Sequence, residues 1–563
     1  MKSLRIVTSF LAATIAAVPA SAAPPEKPKL PEKSKLPEKP KLIVAIAVDQ
    51  FSTDLFNEYR ATFSAGLKRM TGGAVFPRGH QGHAATETCP GHSTILTGSR
   101  PSRTGIIAND WQSPTLERKT KDGKPTYDVY CAEKPGAVGS STAQPEISTQ
   151  FLRVPTLGDR MKVSDPTTRV VSVSGKDRAA VMLGGTTADV TIWWNGKAFV
   201  TYAGKEAALP PTLAAINARA TAAIAKPVLQ KLPQSCASRS RAVPISATDS
   251  VGVIKLRQSG NAPAWRATPE FDAMTLDVAL AAASQLKLGR GTATDVLAVS
   301  FSATDYVGHT FGTSGAEMCV QMAALDATLD RLFASLDKSG VAYAVVLTAD
   351  HGGHDLPERN RANGLPAAER VDVTLSAAAV GARLAQQFGL NAPALIGRAP
   401  FGDMYLSAGV PADKRAAVRD AAVGFYRAHP QVAAVFTRDD LAAAPPPAGP
   451  VDEWPLITRA KASFDRERSG DFVVLLKPYV TPIPDASFGY VATHGSPWGY
   501  DRRVPILFWW NGIAAFEQPN AVETVDIMPT LASLIGLAVS PAEIDGRCLD
   551  LIAGGQSNCP RAN

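Results

Sequence analysis

Along this chain the apolar positions gather into short continuous runs, with helical patterns between them. Leu42–Val48, Arg169–Val173, Val296–Phe301, Ala342–Leu347 and Val504–Trp509 are such runs, rich in Val and bounded by turn residues. A run that does not alternate needs cover on both faces, so these five segments are predicted to be buried parallel strands. Met274–Gln285 and Met318–Leu336 carry apolar residues at helical spacing. Strands alternating with helices predict an α/β fold, with a mainly parallel sheet between helix layers. Ligands of such sheets collect beyond the C-terminal ends of the strands.

Polar residues stand at those ends. The first run is followed by Asp49, and the second by Ser174-Gly175-Lys176-Asp177-Arg178. The third leads to Asp305 and His309, and the fourth to Asp350-His351-Gly352-Gly353-His354-Asp355. Four strands thus deliver charged or metal-capable side chains to one sheet edge, a convergence that solvated loop ends do not explain. The stretches 112–165 and 185–270, rich in Pro, Gly, Ser and Thr, are predicted insertions. Residues 400–485 are predicted to form a small α+β unit, and all three segments are expected to cover or rim the site. In the α+β unit Val418, Ala421, Ala422 and Phe425 share a helical face, and Asp471–Leu476 reads as a strand.

The N-terminus changes the charge picture. Lys2 and Arg5 precede an apolar run from Ile6 to Val18, and Ala20-Ser21-Ala22 supplies a small-x-small cleavage pattern. Residues 1–22 are therefore read as a secretory signal peptide, since a membrane span needs about 20 apolar residues. A Pro/Lys-rich linker follows at 23–41, with three hexapeptides of the type Pro25-Glu26-Lys27-Pro28-Lys29-Leu30. Proline and alternating charge favour an extended, solvated spacer. The chain of 563 residues carries 58 Lys+Arg against 51 Asp+Glu, a net +7. Residues 1–42 hold eight basic and three acidic side chains, so +5 belongs there and +2 to the rest. That placement withdraws the suspicion of a nucleic-acid partner that a basic chain invites. Six cysteines in an exported chain imply disulfides, with Cys548 and Cys559 the best-guess pair.

Within the body, Asp305 and His309 are four residues apart and share a face of one helical turn. Asp350 and His351 are adjacent, so both can ligate only at a strand end or loop. Together with Asp49 and His494 they make three carboxylates and three imidazoles, enough for two zinc ions. In Thr86-Glu87-Thr88-Cys89-Pro90-Gly91-His92, Pro90 suits a first helical turn, which would put Thr88 just before a helix N-terminus. Free N–H groups there favour an anion, and a hydroxyl bound to metal can act as a nucleophile. Lys176 and Arg178 would point to one side if that segment were extended. His80, His83 and His92 are expected to hold the Thr88 loop, and His354 and Asp355 to support the ligands.

These motifs resemble the alkaline phosphatase superfamily, and within it the secreted PhoK/PafA-type enzymes. The resemblance runs over Asp49, Thr88, Asn109, Lys176, Arg178, Asp305 with His309, Asp350 with His351, His494 and the closing Val525-Asp526-Ile527-Met528-Pro529-Thr530-Leu531 helix. It implies one catalytic domain over 42–563. It also implies a zinc ion held by Asp305, His309 and His494, and a second held by Asp49, Asp350, His351 and the Thr88 oxygen. Thr88 would be the nucleophile, forming a phosphothreonine. Asn109, Lys176 and Arg178 would bind the phosphoryl oxygens of a small-molecule phosphate monoester. The family makes additional calcium plausible, and a periplasmic or secreted monomer without a transmembrane segment is expected. The alternative within the superfamily, a phosphodiesterase or nucleotide pyrophosphatase, would lack the Lys176/Arg178 pair. A sulfatase would need Cys-x-Pro-x-Arg, whereas Pro90 directly follows Cys89 here. The non-enzyme alternative, a metal-binding envelope protein, leaves the filled catalytic positions unexplained.

Overall fold

The computed structural model describes residues 39–113, 118–119, 125–134, 145–397, 399–552 and 557–560. The signal-peptide reading and most of the linker lie outside them. Five parallel strands form the centre of the main sheet, side by side as Tyr343–Thr348, Leu42–Val48, Asp295–Phe301, Val170–Ser174 and Val190–Trp194. The register sets Val48 opposite Phe301, and Ala47 opposite both Ser300 and Thr348. Three strands therefore end at one level, and Asp49, Asp305 and Asp350 leave them on the same edge.

Both sheet faces are covered, which is why the strands read as unbroken apolar runs. Val44, Ile46, Val48, Leu297, Val299 and Phe301 pack into one core, with Phe271 and Leu329 from the long helices Pro269–Gln285 and Ala316–Ser339. Ile43, Ala45, Ala47, Val296 and Ala298 face the other core, with Ile95 and with Met528 and Leu531 of the helix Ile527–Leu534.

Two expectations are corrected. Arg503–Trp510 joins the sheet antiparallel to Tyr343–Thr348, and Ala74–His80 pairs antiparallel to it in turn. A two-faced apolar run carries no information on strand direction, so the parallel expectation had no basis for this strand. The stretch 185–270 is not wholly peripheral either: Val190–Trp194 is buried in the main sheet and Phe199–Val200 pairs at its edge.

A second, four-stranded antiparallel sheet runs in the order Leu395–Ile396, Gly402–Leu406, Phe472–Leu476, Val432–Thr437. The helix Arg415–Ala428 packs on it through Val418, Ala422, Val423 and Tyr426, with Ala421 and Phe425 only partly buried. Cys89–Cys131, Cys236–Cys319 and Cys548–Cys559 are disulfide-bonded. Among the described residues no helix is long and apolar enough to cross a membrane.

Candidate active site

Thr88 opens a helix, Thr88–Ile95, with Glu87 as its N-cap, one position inside the helix start that the sequence suggested. The helix begins where Gly91 meets the chain after Tyr343–Thr348. A Cβ on Gly91 would lie 2.0 Å from the carbonyl oxygen of Asp350. Only glycine permits that approach, and it sets the Thr88 turn against the Asp350–His351 loop. His92 Nδ1 donates to the Thr88 carbonyl at 2.9 Å and lies 3.1 Å from Asp350 Oδ2, and Ser300 Oγ hydrogen-bonds its Nε2 at 2.9 Å. His92 thus holds the Thr88 turn, whereas His80 is bonded to Arg78 and His354 packs against Tyr500.

The carboxylates and imidazoles converge beside Thr88. Asp305, His309 and His494 offer ligand atoms within 4.8 Å of one another, and so do Asp49, Asp305 and His351. Asp305 and His309 sit on the helix Ala303–Phe311, as their spacing requires, and His494 is in a loop. Asp305 belongs to both groups. Asp350 is beside the second one, its Oδ2 3.3 Å from His351 Nε2, while its Oδ1 accepts the Gln50 and His351 N–H groups.

Proton positions follow from the outer contacts. His309 Nδ1 donates to Ala492 O at 2.9 Å, His351 Nδ1 to Gly352 O at 2.9 Å, and His494 Nδ1 to Thr86 O at 2.7 Å. Each ring then turns its Nε2 inward. His309 and His494 direct theirs at Asp305 Oδ1 from 3.3 and 3.4 Å, and His351 directs its own at Asp49 Oδ1 from 3.4 Å. Burial, more than any neighbour, lowers the His351 pKa to about 3 and pulls His494 down as well. Asp49 Oδ1, Asp305 Oδ1 and His351 Nε2 are buried without a hydrogen bond. Imidazole nitrogens and carboxylate oxygens that converge in this way, some of them without a hydrogen bond, are a donor set for cations, and the N/O composition fits zinc. Burial and the adjacent Asp350 raise the Asp49 pKa well above the carboxylate range. Burial pushes Asp305 the same way, but His309 and Lys176 outweigh it and hold that carboxyl well below the range.

Two protein cations complete the site. Lys176 Nζ lies 2.5 Å from Asp49 Oδ2, 2.6 Å from Asp305 Oδ2 and 3.3 Å from Thr88 Oγ1. Arg178 Nη2 donates to Thr88 Oγ1 at 3.4 Å. The segment is not extended: Lys176 caps the helix Asp177–Gly184 and Arg178 lies in its first turn. Asn109 is fixed by two contacts, its Oδ1 accepting from Cys89 N at 2.8 Å and its N–H donating to Glu87 Oε2 at 2.6 Å. The amide nitrogen is left as its donor.

Tyr130 was not identified from sequence. Its hydroxyl donates to Asp177 Oδ1 at 2.5 Å and accepts from Arg178 Nη1 at 3.5 Å. Its neighbour Cys131 is bonded to Cys89, next to Thr88. No local pattern signals such a contact, and the pairing of Cys89 with Cys131 was left open by the sequence.

The family described as type I phosphodiesterase / nucleotide pyrophosphatase matches residues 43–495. Alkaline phosphatase PhoK of Sphingomonas sp. is 52% identical over 526 residues, covering 92% of each chain. The chain belongs to the alkaline phosphatase superfamily, on its PhoK- and PafA-like branch. Alkaline phosphatase PhoD of Zymomonas mobilis is 47% identical, covering 92% of this chain and 89% of its own. The crystal structure of wild-type alkaline phosphatase PafA superposes with a TM-score of 0.77 at 27% identity, covering 92% of this chain and 99% of that one. Murine ectonucleotide pyrophosphatase / phosphodiesterase 5 shares the fold, at a TM-score of 0.53 and 14% identity. The chain is thus an enzyme of the alkaline phosphatase class.

Proposed function

We propose that this protein is an exported, zinc-dependent alkaline phosphatase that hydrolyses phosphate monoesters through Thr88. The observation that carries this reading is the setting of Thr88 Oγ1, with Lys176 and Arg178 at 3.3 and 3.4 Å and the buried ligand cluster beside them. Asp305, His309 and His494 would hold one zinc ion, and Asp49, Asp350, His351 and the Thr88 oxygen the other. When bound, such a pair supplies Lewis acidity at both ends of an in-line displacement.

Thr88 Oγ1 forms a bond to phosphorus as the ester P–O bond breaks, and the alcohol departs with its oxygen. Water then attacks the phosphothreonine and returns the threonine hydroxyl. Lys176, Arg178 and the Asn109 amide bind the phosphoryl oxygens, where charge is concentrated. Arg178 offers a planar fork and Lys176 a point charge. A monoester dianion carries one more charge than a diester, so two cations beside Thr88 favour monoesters. Export rests on the signal-like residues 1–22, and three disulfides suit an oxidising compartment.

The test compares kcat/KM for a monoester and a diester of one alcohol, before and after chelation. A strong monoester preference, abolished by the chelator and restored by zinc, is expected. Equal values or a diester preference would instead establish the phosphodiesterase reading. Full activity in chelator would overturn the metal dependence.

A further inference from the structure

Two side chains that the site above does not use stand at its Asp305–His309–His494 side. Tyr490, in the loop leading to His494, stacks on His309 with ring centroids 4.5 Å apart and planes 19° apart. It is nevertheless 42% exposed, while His309 beneath it is buried. An aromatic ring anchored on one face and open on the other is a stacking platform. Tyr306, buried on the Asp305–His309 helix, has Lys176 Nζ 5.1 Å and Arg266 Cζ 4.4 Å from its ring centroid. Arg266 Nη1 donates to the Tyr306 hydroxyl at 3.2 Å. Among the described residues, no carboxylate comes within ion-pair distance of Arg266. The Tyr306 ring therefore joins Lys176 to a half-buried guanidinium whose charge no acid offsets.

We propose that Tyr490 and Arg266 form a leaving-group subsite that favours aromatic leaving groups bearing a second anionic group. The inference rests on the proposed function: the other ligand group takes the Thr88 oxygen, which leaves the Asp305–His309–His494 group to face the departing oxygen. A group leaving past His309 would meet Tyr490, whose second face is not covered by that histidine. An aryl ring can stack on that face, whereas a short alkyl group cannot cover it. The guanidinium fork of Arg266 matches a carboxylate or phosphate on the far end of such a ring.

The test uses the zinc-loaded full chain and ratios of kcat/KM within two substrate pairs. Phenyl against methyl phosphate reads the stacking. The pair 4-(carboxymethyl)phenyl against 4-ethylphenyl phosphate reads the anion at nearly constant leaving-group basicity. Tyr490→Ala is expected to reduce the phenyl preference about two- to tenfold, the range of aromatic pairing energies, and Tyr490→Phe to preserve it. Arg266→Ala is expected to reduce the carboxylate preference about two- to fivefold, as for a partly exposed ion pair. A Tyr490 that merely supports His309 would instead lower both members of a pair equally, leaving the ratio unchanged. Equal losses, or none, overturn the subsite while leaving the phosphatase reading intact. A wild-type enzyme that cleaves none of the four monoesters overturns that reading and the subsite with it.

Discussion

At the scale of single residues, the site depends as much on what is missing as on what is charged. Gly91 stands three residues after Thr88, with its missing Cβ filled by the Asp350 backbone. Gly91→Ala must push the Thr88 helix away from the Asp350–His351 loop, because a backbone carbonyl has no rotamer by which to yield. Overpacking of this kind costs about 1–3 kcal/mol, and here it also displaces the nucleophile from the ligand cluster. The variant is therefore expected to lose stability and to lose kcat/KM by a larger factor than the stability change explains. Gly424 is the control. It lies on the exposed side of the helix Arg415–Ala428, and a Cβ there meets nothing within 4 Å. Gly424→Ala should stabilise by about 0.5–1 kcal/mol and leave activity alone. Denaturant unfolding and kinetics on both variants decide the matter; a Gly91→Ala enzyme of normal activity would show that the close approach does not position Thr88.

At the scale of elements, three helices carry Thr88, Arg178 and Asp305, the last two starting at strand ends. The third is held by Asp272, buried on the neighbouring long helix. Its carboxylate accepts from Ala303 N at 2.9 Å and from Gln321 Nε2 at 2.8 Å. Burial raises the Asp272 pKa to about 7, although both hydrogen bonds work against the rise. The folded state then keeps a proton that the unfolded chain gives up near about pH 4. Stability from this group is full below that pH and is lost as pH rises towards about 7. Asp272→Asn removes the slope. In zinc-saturated unfolding experiments, the advantage of wild type over the variant should shrink between about pH 4 and pH 7. A constant difference would mean that Asp272 is ionised throughout. Much of this level was legible in the sequence, because strands covered on both faces must be apolar at every position and end abruptly at polar residues. Asp49, Lys176, Asp305 and Asp350 could be placed on one edge for that reason. The direction of Arg503–Trp510 could not, since an apolar run reads the same both ways. Tyr130 and Tyr490 were invisible for a different reason: one reaches the site from the three-residue strand Asp128–Tyr130 and the other from a loop, both through contacts distant in sequence, with no period to announce them.

For the whole molecule, the question is how far its net charge helps it find a phosphate. Of the +7, residues 1–42 carry +5, so the body is nearly balanced. Its site is not: Lys176 is buried and Arg178 half-buried beside Thr88, and each bound zinc would add two charges. Fields from exposed charges are screened beyond about 8–10 Å at physiological salt, while buried charges are screened much less. Attraction of the substrate should then be a short-range property of the site. Raising sodium chloride from about 0.02 M to 0.5 M is expected to change kcat/KM for a monoester by no more than about threefold, far less than the losses typical of steered association. Removing residues 23–41 should leave kcat/KM within about twofold at both salt concentrations, because the charge this discards does not lie in the site. A steep salt dependence that disappears with that deletion would instead make the Pro/Lys segment part of substrate capture, and would restore to the basic N-terminus a role in binding that the charge of the body does not require.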